Sequence, residues 1–390
     1  MQKVISTERL PVKMWLDEVE EGSIRQAKNL ANLPFAFKHI CLMPDTHEGY
    51  GMPIGGVLAT QGVIIPNAVG VDIGCGMCAV KTNIQTDSLS DKQLKQIMYG
   101  IRELIPLGFD HHEERQDGSL MPQGFDLDEL HVVKNQYMAA LKQIGTLGGG
   151  NHFIELQSCN DGYLWIMTHS GSRNLGKQVA DYYNRVAKKL NELWFSSVSP
   201  KADLAFLPFK TEEALKYYKE MRYCIEFAFA NRKLMMERIQ QVVSAVLQSV
   251  EYEPIINIAH NYAAWEEHFG EKVVVHRKGA TSAKTGETGI IPGSQGTKSY
   301  IVEGLGNPES FMSCSHGAGR VMSRSAAIRN LDLEEEKRKL DEQGIIHSIR
   351  NKSDLEEAAS AYKDISQVMA FQSDLVKVKV ALRPLAVIKG

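Results

Sequence analysis

The chain has 390 residues, of which 43% are hydrophobic and 23% are charged, and its formal net charge is −3. This composition is ordinary for a soluble globular protein, and its six cysteines are too sparse and too irregularly spaced for a disulfide framework. The charge balance excludes nucleic-acid binding through the overall field of the molecule, so a nucleic-acid partner would need a local basic patch.

Residues 49–71 carry no charge and are long enough to suggest a membrane span. They also contain many glycines, two prolines, Gln61 and Asn67, which argue against a lipid-exposed helix. The N-terminal residues open no apolar signal region. We therefore expect a cytoplasmic protein without a membrane partner, in a reducing environment where cysteine is available as a metal ligand.

The first half of the chain combines short β-like runs with helical patterns. Ser90 and Gln93 match a capping box, and the apolar residues behind them predict a helix over residues 90–105. The polar residues 108–130 predict a loop. The other elements predicted here are strands at 57–60, 63–65, 78–80 and 163–168 and a helix at 175–193.

The second half contains a long helical region. Residues 211–250 include neither Gly nor Pro and keep helical periodicity, which predicts one or two long helices. Ser353 and Glu356 match a second capping box, predicted to open a helix toward Met369. Strands are predicted at 272–276, 299–302 and 376–388.

The order of these elements indicates the fold class. Strands and helices are mixed without a regular βαβ alternation, which favours an α+β fold with mixed sheets flanked by helices. No linker divides the chain, and chemically suggestive residues are spread from residue 45 to residue 389. We therefore predict one intertwined domain over residues 1–390.

Five residues of metal-ligand type lie within glycine-rich segments or beside predicted strands. They are Asp72, Cys75, His152, His169 and His260. The set is too large for one tetrahedral zinc ion and suits two five- or six-coordinate ions bridged by the thiolate, with manganese, cobalt, iron or zinc as candidates. A buried cysteine, a flexible glycine connector and structural histidines are the alternative interpretation of the same segments.

One further histidine, His316, lies between a Ser/Cys run and a Gly-Ala-Gly turn, with Arg320 and Arg324 behind it. Glycines let the backbone approach a ligand closely, and arginines match phosphate oxygens in fixed geometry. A surplus histidine beside a binuclear metal site is a candidate nucleophile. A metal ligand and a packed turn residue are the alternatives.

Together these segments resemble the RtcB family of RNA ligases. Typical runs are Pro-Asp-Thr-His-Glu-Gly-Tyr-Gly, Gly-Val-Asp-Ile-Gly-Cys-Gly-Met and Ser-Cys-Ser-His-Gly-Ala-Gly-Arg. The similarity extends from about residue 11 to residue 390, and the segments keep the same order. They are 44–51, 70–77, 150–155, 169–173, 260–262, 313–320, 361–365 and the terminal Val-Ile-Lys-Gly.

The resemblance implies a reaction and its partners. RNA with a 3′-phosphate or 2′,3′-cyclic phosphate would be joined to RNA with a 5′-hydroxyl, using GTP and two Mn²⁺ ions, in tRNA splicing or RNA repair. The domain would hold a central metal and nucleotide cleft. An archease-type activating protein is a further partner that the family suggests.

The resemblance also implies residue roles. His316 would attack the α-phosphate of GTP and carry GMP, and Asp45 would assist by orienting a metal ligand or the pyrophosphate. Cys75 would bridge the two metal ions. The implied set is Asp72, Cys75, His152, His169 and His260 for metal; Asn151, Glu155, Ser294, Ser299, His316, Ala318, Gly319, Tyr362 and Lys389 for the guanylate; and Arg173 and Arg324 for RNA.

Two other functions fit the same residues. A binuclear metallohydrolase or cyclic phosphodiesterase would use His316 as a more distant base and would not need GTP. A metal- and nucleotide-dependent RNA-binding module would bind RNA with strong salt dependence and show no turnover. A Lys-x-Asp-Gly motif is absent, which argues against ligases that use a lysine nucleophile.

Overall fold

A computed structural model describes residues 1–390 as a mixture of strands and helices. The helices are α1 (Glu21–Ala31), α2 (Pro66–Val69), α3 (Asp91–Leu104), α4 (His131–Gln143), α5 (Arg173–Leu193), α6 (Glu212–Val246), α7 (Arg324–Asn330), α8 (Leu333–Asp341) and α9 (Ile365–Phe371). The strands are β1 (Lys3–Ile5), β2 (Val12–Met14), β3 (Ala36–His47), β4 (Ile54–Thr60), β5 (Val63–Ile64), β6 (Gly76–Gln85), β7 (Phe153–Cys159), β8 (Tyr163–Ser170), β9 (Leu207–Pro208), β10 (Ile256–Ala259), β11 (Asn261–His268), β12 (Glu271–Lys278), β13 (Ala280–Ser282), β14 (Thr288–Ile291), β15 (Ser299–Gly304), β16 (Ser313–Ser315) and β17 (Val376–Lys389).

Two large sheets organise the molecule. One has six strands in the order β1-β2-β3-β4-β12-β11, and the other has seven in the order β10-β6-β8-β7-β17-β15-β14. β2 and β3 run parallel, whereas the other pairs in these sheets are antiparallel. The predicted α+β class with mixed sheets is therefore confirmed.

Both faces of the seven-stranded sheet are buried. In β6, Met77 and Ala79 join one apolar cluster, whereas Cys78 and Val80 join another. Successive side chains of a strand point to opposite faces, so this alternation means that the sheet is covered on both sides. Helices α3 and α6 cover the face of Cys78 and Val80.

Helix α6 confirms the prediction for residues 211–250 in its one-helix form. Thr211 caps it by accepting a hydrogen bond from the Ala214 N–H. The N-terminal half packs through residues such as Phe227 into one apolar cluster, and the C-terminal half packs through residues such as Met235 into another. One long helix therefore spans two parts of the core.

The other predicted elements were largely confirmed. The capping box of Ser90 and Gln93 begins α3, and residues 108–130 form a loop with two short 3-10 turns. The uncharged residues 49–71 form strands and the short helix α2. None of the helices combines the length and the apolar character that crossing a membrane would require.

The capping box predicted at Ser353 and Glu356 is wrong. The box is formed by Asn351 and Asp354, and it opens a 3-10 turn over Lys352–Glu357. The Ser353 N–H instead donates to the side chain of Asn351, because an Asn side chain competes well for nearby backbone donors. The helix toward Met369 is α9, and it begins only after Asp364.

Candidate active site

The five predicted metal ligands lie together at one end of the seven-stranded sheet. Their ligand atoms form two groups, one of Cys75, His169 and His260 and one of Asp72, Cys75 and His152, each with all atoms within 4.8 Å of one another. Cys75 belongs to both groups. Its Sγ lies 3.4 Å from His152 Nε2 and 3.3 Å from His169 Nε2.

Strand pairing brings these residues together from distant parts of the chain. His169 in β8 lies opposite Phe153, the residue after His152, and opposite Met77 in β6. Gly76 at the start of β6 lies opposite Ala259, the residue before His260. The sheet register therefore places four of the ligands at neighbouring strand ends.

Backbone carbonyls orient two of the histidines. His152 Nδ1 lies 3.0 Å from the Leu147 carbonyl oxygen, and His169 Nδ1 lies 3.0 Å from the Asn151 carbonyl oxygen. A carbonyl only accepts hydrogen bonds, so each Nδ1 carries the proton and each Nε2 presents its lone pair to the cluster. His260 Nδ1 is buried and has no partner in the protein.

The charges in the cluster suit a cation. Burial lowers the pKa of His169 and His260 well below the ordinary range, so both imidazoles are neutral. Burial opposes the charge of Asp72, but contacts with His152 keep the pKa of that carboxyl below its usual value. Burial and Asp72 raise the pKa of the Cys75 thiol, and a divalent cation would favour its deprotonation.

These donors fit two divalent transition-metal ions. The set contains neutral imidazoles, a carboxylate and a cysteine shared by both groups, which are ligand types that manganese, cobalt, iron and zinc accept. Gly171 leaves room for the carboxylate, since a Cβ there would lie 2.2 Å from Asp72 Oδ1. The geometry is therefore compatible with the predicted ligand set.

His316 stands beside this cluster and is bound to Asp45. The His316 and His260 rings are 4.8 Å apart. Asp45 Oδ2 lies 2.6 Å from His316 Nδ1 and also accepts the backbone N–H groups of His316 and Gly317, at 3.0 and 3.2 Å. In the neutral ring, this arrangement selects the tautomer that has its proton on Nδ1 and its lone pair on Nε2.

The carboxylate of Asp45 contacts His316 in the structure. We expected Asp45 to orient a metal ligand or the pyrophosphate, whereas its carboxylate lies against His316 itself. Gly319 lets the turn after His316 lie against the backbone of Asp45, because it has a φ of +73° and a Cβ there would lie 2.2 Å from the Asp45 carbonyl oxygen.

A second group of polar residues lies between β7, β15 and β17. Gln157 Nε2 donates to Glu155 Oε2 at 2.7 Å and to Ser299 Oγ at 3.2 Å. Burial raises the pKa of Glu155 to about 8, although Lys389 opposes the shift. Burial likewise lowers the pKa of Lys389, which is a partly buried residue at the end of β17 and not a frayed one.

Glu357 connects this group to the arginines. The buried carboxylate of Glu357 lies 3.1 Å from Arg320 Nη1 and 2.9 Å from Arg324 Nε, and it accepts the hydroxyl of Tyr362. Burial opposes its charge, but Lys389 and the two arginines keep the pKa of Glu357 below its usual value. Arg324 remains half exposed, so it can reach a ligand at the opening.

Arg173 is less accessible than the prediction implied. Its Nε donates to Thr146 Oγ1 and its Nη2 donates to the Gly108 carbonyl oxygen, both at 2.9 Å. The side chain therefore lines the glycine loop instead of extending into solvent. Among the other predicted guanylate residues, Ser294 binds Thr297, and Ala318 is buried next to Gly319.

Sequence reasoning missed several residues that shape the site. Asn231 and Arg232 in α6 continue the rows of core positions at four-residue spacing from Phe227 toward Met235, yet they are polar. A charged residue on an apolar helix stripe was the signal that could have revealed them. Gln157 follows Glu155 by two residues on the same strand face, so two polar residues in a buried strand were a similar signal. Glu357 lies in a polar stretch, where the sequence gives no such signal.

The comparison with known proteins agrees with this geometry. A family model described as tRNA-splicing ligase RtcB matches residues 26–390. The chain belongs to the RtcB family. The RNA-splicing ligase RtcB of Escherichia coli strain K12 is 40% identical over 410 residues, an alignment that covers 100% of this chain and 99% of the relative.

Archaeal RtcB relatives are also similar over their whole length. The tRNA-splicing ligase RtcB of Nanoarchaeum equitans is 33% identical over 464 residues, covering 100% of this chain and 95% of the relative. That of Thermococcus kodakarensis is 32% identical over 463 residues, covering 98% and 95%. The resemblance to the RtcB family inferred from the motifs is therefore confirmed.

Proposed function

We propose that this chain is an RNA ligase of the nucleic-acid ligase class that uses GTP and Mn²⁺. It would join RNA 3′-phosphate or 2′,3′-cyclic phosphate ends to 5′-hydroxyl ends, in RNA repair or tRNA splicing. The observation that carries the proposal is the contact between His316 Nδ1 and Asp45 Oδ2, 2.6 Å long, directly beside the five-residue cluster. The names of the relatives, RNA-splicing ligase and tRNA-splicing ligase, support the same reaction class.

In the first step, the unprotonated Nε2 of His316 would attack the α-phosphorus of GTP. A P–N bond forms as the bond to pyrophosphate breaks, and Asp45 stabilises the proton on Nδ1. Asp72, Cys75, His152, His169 and His260 would hold two Mn²⁺ ions, with Cys75 shared between them. When bound, these ions would neutralise phosphate charge and orient the leaving group.

In the later steps, a 3′-phosphate oxygen of the RNA takes the GMP group from His316 and restores the neutral imidazole. The RNA 5′-hydroxyl then loses its proton and displaces GMP, which forms the phosphodiester. A 2′,3′-cyclic phosphate is first opened by water to a 3′-phosphate. Arg324 and Arg173 would meet the RNA phosphates near the opening of the cleft.

Glu155 and Lys389 would together favour guanine. The edge of guanine offers N–H donors at N1 and N2 and an acceptor at O6, which the oxygens of the Glu155 carboxyl group and the donor nitrogen of Lys389 complement. Glu155 is buried and Lys389 is partly buried, so a mismatched base would leave them unpaired. We propose Asn151, Ser294, Ser299, Ala318, Gly319 and Tyr362 as the other guanylate contacts, a cytoplasmic location, and an archease-type protein as a further partner.

A labelled-GTP experiment tests the nucleophile. With GTP and Mn²⁺ the protein should form a covalent GMP adduct, and H316A should reduce both the adduct and RNA joining by a factor on the order of 10³ or more. H131A, at an exposed histidine on α4, is the matched control and should behave like the unchanged protein. An adduct of normal yield in H316A would disprove the role of His316.

RNA substrates with defined ends test the reaction class. Joining should occur only when a 3′-phosphate or cyclic phosphate meets a 5′-hydroxyl and GTP is present. Hydrolysis of the cyclic phosphate without GTP and without any joining would instead support the phosphodiesterase. Salt-dependent RNA binding without turnover would support the binding module.

A further inference from the structure

Two exposed aromatic side chains stand near the candidate active site, and neither has a part in the proposed chemistry. Tyr50 is 75% exposed and Phe109 is 95% exposed. Exposure alone does not indicate function, since single apolar residues are common on surfaces and Phe195, next to the end of α5, is 94% exposed. What distinguishes Tyr50 and Phe109 is their position.

Phe109 lies in a turn tied to the glycine loop of the site. The Asp110 N–H donates to the Leu107 carbonyl oxygen at 3.0 Å, and Gly108 has a φ of +60°. The Gly108 carbonyl accepts from Arg173 Nη2 at 2.9 Å. A Cβ on Gly108 would lie 3.4 Å from the carbonyl carbon of Gly390, so the turn also touches the chain end behind Lys389.

Tyr50 lies near His316, in the segment that follows Asp45. Its carbonyl accepts from Nζ of the buried Lys278 at 2.6 Å. The next residue, Gly279, lies against His316, because a Cβ there would be 3.1 Å from His316 Cε1. A basic side chain therefore anchors each segment, with Lys278 bound to the Tyr50 carbonyl near His316 and Arg173 bound to the Gly108 carbonyl beside the glycine loop that precedes His152.

We propose that Tyr50 and Phe109 are stacking platforms for the terminal bases of two single-stranded RNA ends. The inference rests on the proposed ligase function, which must bring two RNA ends to one site. Bases at unpaired ends are free to stack, and an aromatic side chain accepts any base because every base has a π face. Two platforms beside one site match a reaction with two nucleic-acid substrates.

The charges around Phe109 favour contact with a base over contact with a phosphate. Asp110 and Glu113 follow it and are exposed, so they would repel the backbone of the RNA. The exposed positive charge near the cleft comes from Arg324, across the glycine loop, where a Cβ on Gly150 would lie 2.6 Å from its Nη2. Phosphate and base would thus be held by different groups.

Fluorescence anisotropy with labelled oligonucleotides tests the platforms. One probe carries a 3′-phosphate and the other a 5′-hydroxyl, each made with a normal or an abasic terminal nucleotide, and binding is measured with Mn²⁺ but without GTP. Y50L and F109L should each weaken one normal probe by roughly 5- to 100-fold. F195L is the matched control and should bind both probes normally. F109W keeps an aromatic ring at this position and should also bind normally.

The abasic probes identify stacking as the cause. Removing the terminal base should weaken binding to the unchanged protein by the same factor as the leucine substitution does. Each leucine variant should bind the normal and the abasic form of its probe with equal affinity. Three results would overturn the proposal. They are normal RNA binding by Y50L and F109L, affinity losses that add when a leucine variant meets an abasic probe, and a loss in F195L equal to that in Y50L or F109L. The first result would also leave Phe109 free for a protein partner.

The same preparations keep this test separate from the ligase proposal. If the unchanged protein forms no GMP adduct and joins no RNA, the proposed function fails whatever the binding data show. If it forms the adduct and joins RNA while both leucine variants bind RNA normally, only the platforms fail.

Discussion

At the scale of single residues, one oxygen of Asp45 controls the orientation of His316. Asp45 Oδ2 receives three N–H groups, from the His316 ring and from the backbones of His316 and Gly317, while Oδ1 is buried without a partner. The side chain of Asp45 is fully buried, so its negative charge is weakly screened and acts strongly on the proton at Nδ1. The carboxylate thereby fixes the orientation and the tautomer of the neutral ring.

We expect D45N to slow formation of the GMP adduct by about 100-fold or more. The amide keeps the shape of the side chain but removes the charge that stabilises the Nδ1 proton, and a wrong tautomer would place a proton on the attacking nitrogen. Single-turnover kinetics with labelled GTP measure the rate. Co²⁺ binding should remain normal because Asp45 is not in the proposed ligand set. An equal loss of Co²⁺ affinity and of the adduct-formation rate would mean that Asp45 has only a structural role.

At the scale of elements, helix α6 supports the strand ends that carry the proposed metal ligands. Asn231 Oδ1 accepts the N–H groups of Gly145 and Thr146, at 2.7 and 3.1 Å. Arg232 Nη1 donates to the carbonyls of Gly74 and Ser170, at 2.8 and 2.9 Å. Gly74 precedes Cys75 and Ser170 follows His169, so this one guanidinium binds the backbone beside two of the proposed ligands.

We expect R232M to weaken Co²⁺ or Mn²⁺ binding by about 10- to 100-fold, the usual effect of losing a group that supports metal ligands. Burial lowers the pKa of Arg232 only to about 10, so its positive charge near Cys75 is present at neutral pH and is lost in the variant. Titration calorimetry measures the affinity. R222M, at an exposed position of the same helix, is the control, and equal affinities in the two variants would contradict the role of Arg232.

Patterns of neighbouring residues predicted elements better than they predicted contacts between elements. The α3 capping box and the long α6 were predictable because both depend on residues within one segment. The candidate ligand set was predicted from ligand-type residues in glycine-rich segments and from the family resemblance, but the position of Cys75 between its neighbours depends on strand pairings that periodicity does not encode. The Ser353 box failed because two overlapping polar pairs compete within six residues, and the Asn351 side chain accepts the Ser353 N–H.

At the scale of the whole molecule, the candidate site lies where the two large sheets meet. His260 is the single residue between β10, in the seven-stranded sheet, and β11, in the six-stranded sheet. Asp45 comes from β3 of the six-stranded sheet, whereas His169 comes from β8 of the other. Because neither sheet holds a complete site, we continue to predict that residues 1–390 behave as one domain and unfold in one transition.

Buried histidines should make the stability of this unit depend on pH. His276 in β12 is fully buried, and its Nε2 accepts the Ile65 N–H at 3.1 Å, which requires the neutral ring. Burial lowers the pKa of His276 to about 4, whereas the unfolded chain binds a proton at its ordinary pKa of about 6.5. The unfolded state therefore gains the proton first, and the free energy of unfolding falls as the pH drops from about 6.5 to about 4.

Calorimetry between pH 7.5 and pH 4 should show one thermal unfolding transition whose midpoint temperature falls most steeply below about pH 6.5. His276 should lower the free energy of unfolding by roughly 1 kcal/mol per pH unit there. H276N removes the titrating group, so its midpoint should depend less on pH even if the variant is less stable throughout. H131N, at an exposed histidine, should keep the slope of the unchanged protein. An unchanged slope in H276N would show that other groups cause the acid sensitivity, and two separate transitions would contradict the single unit.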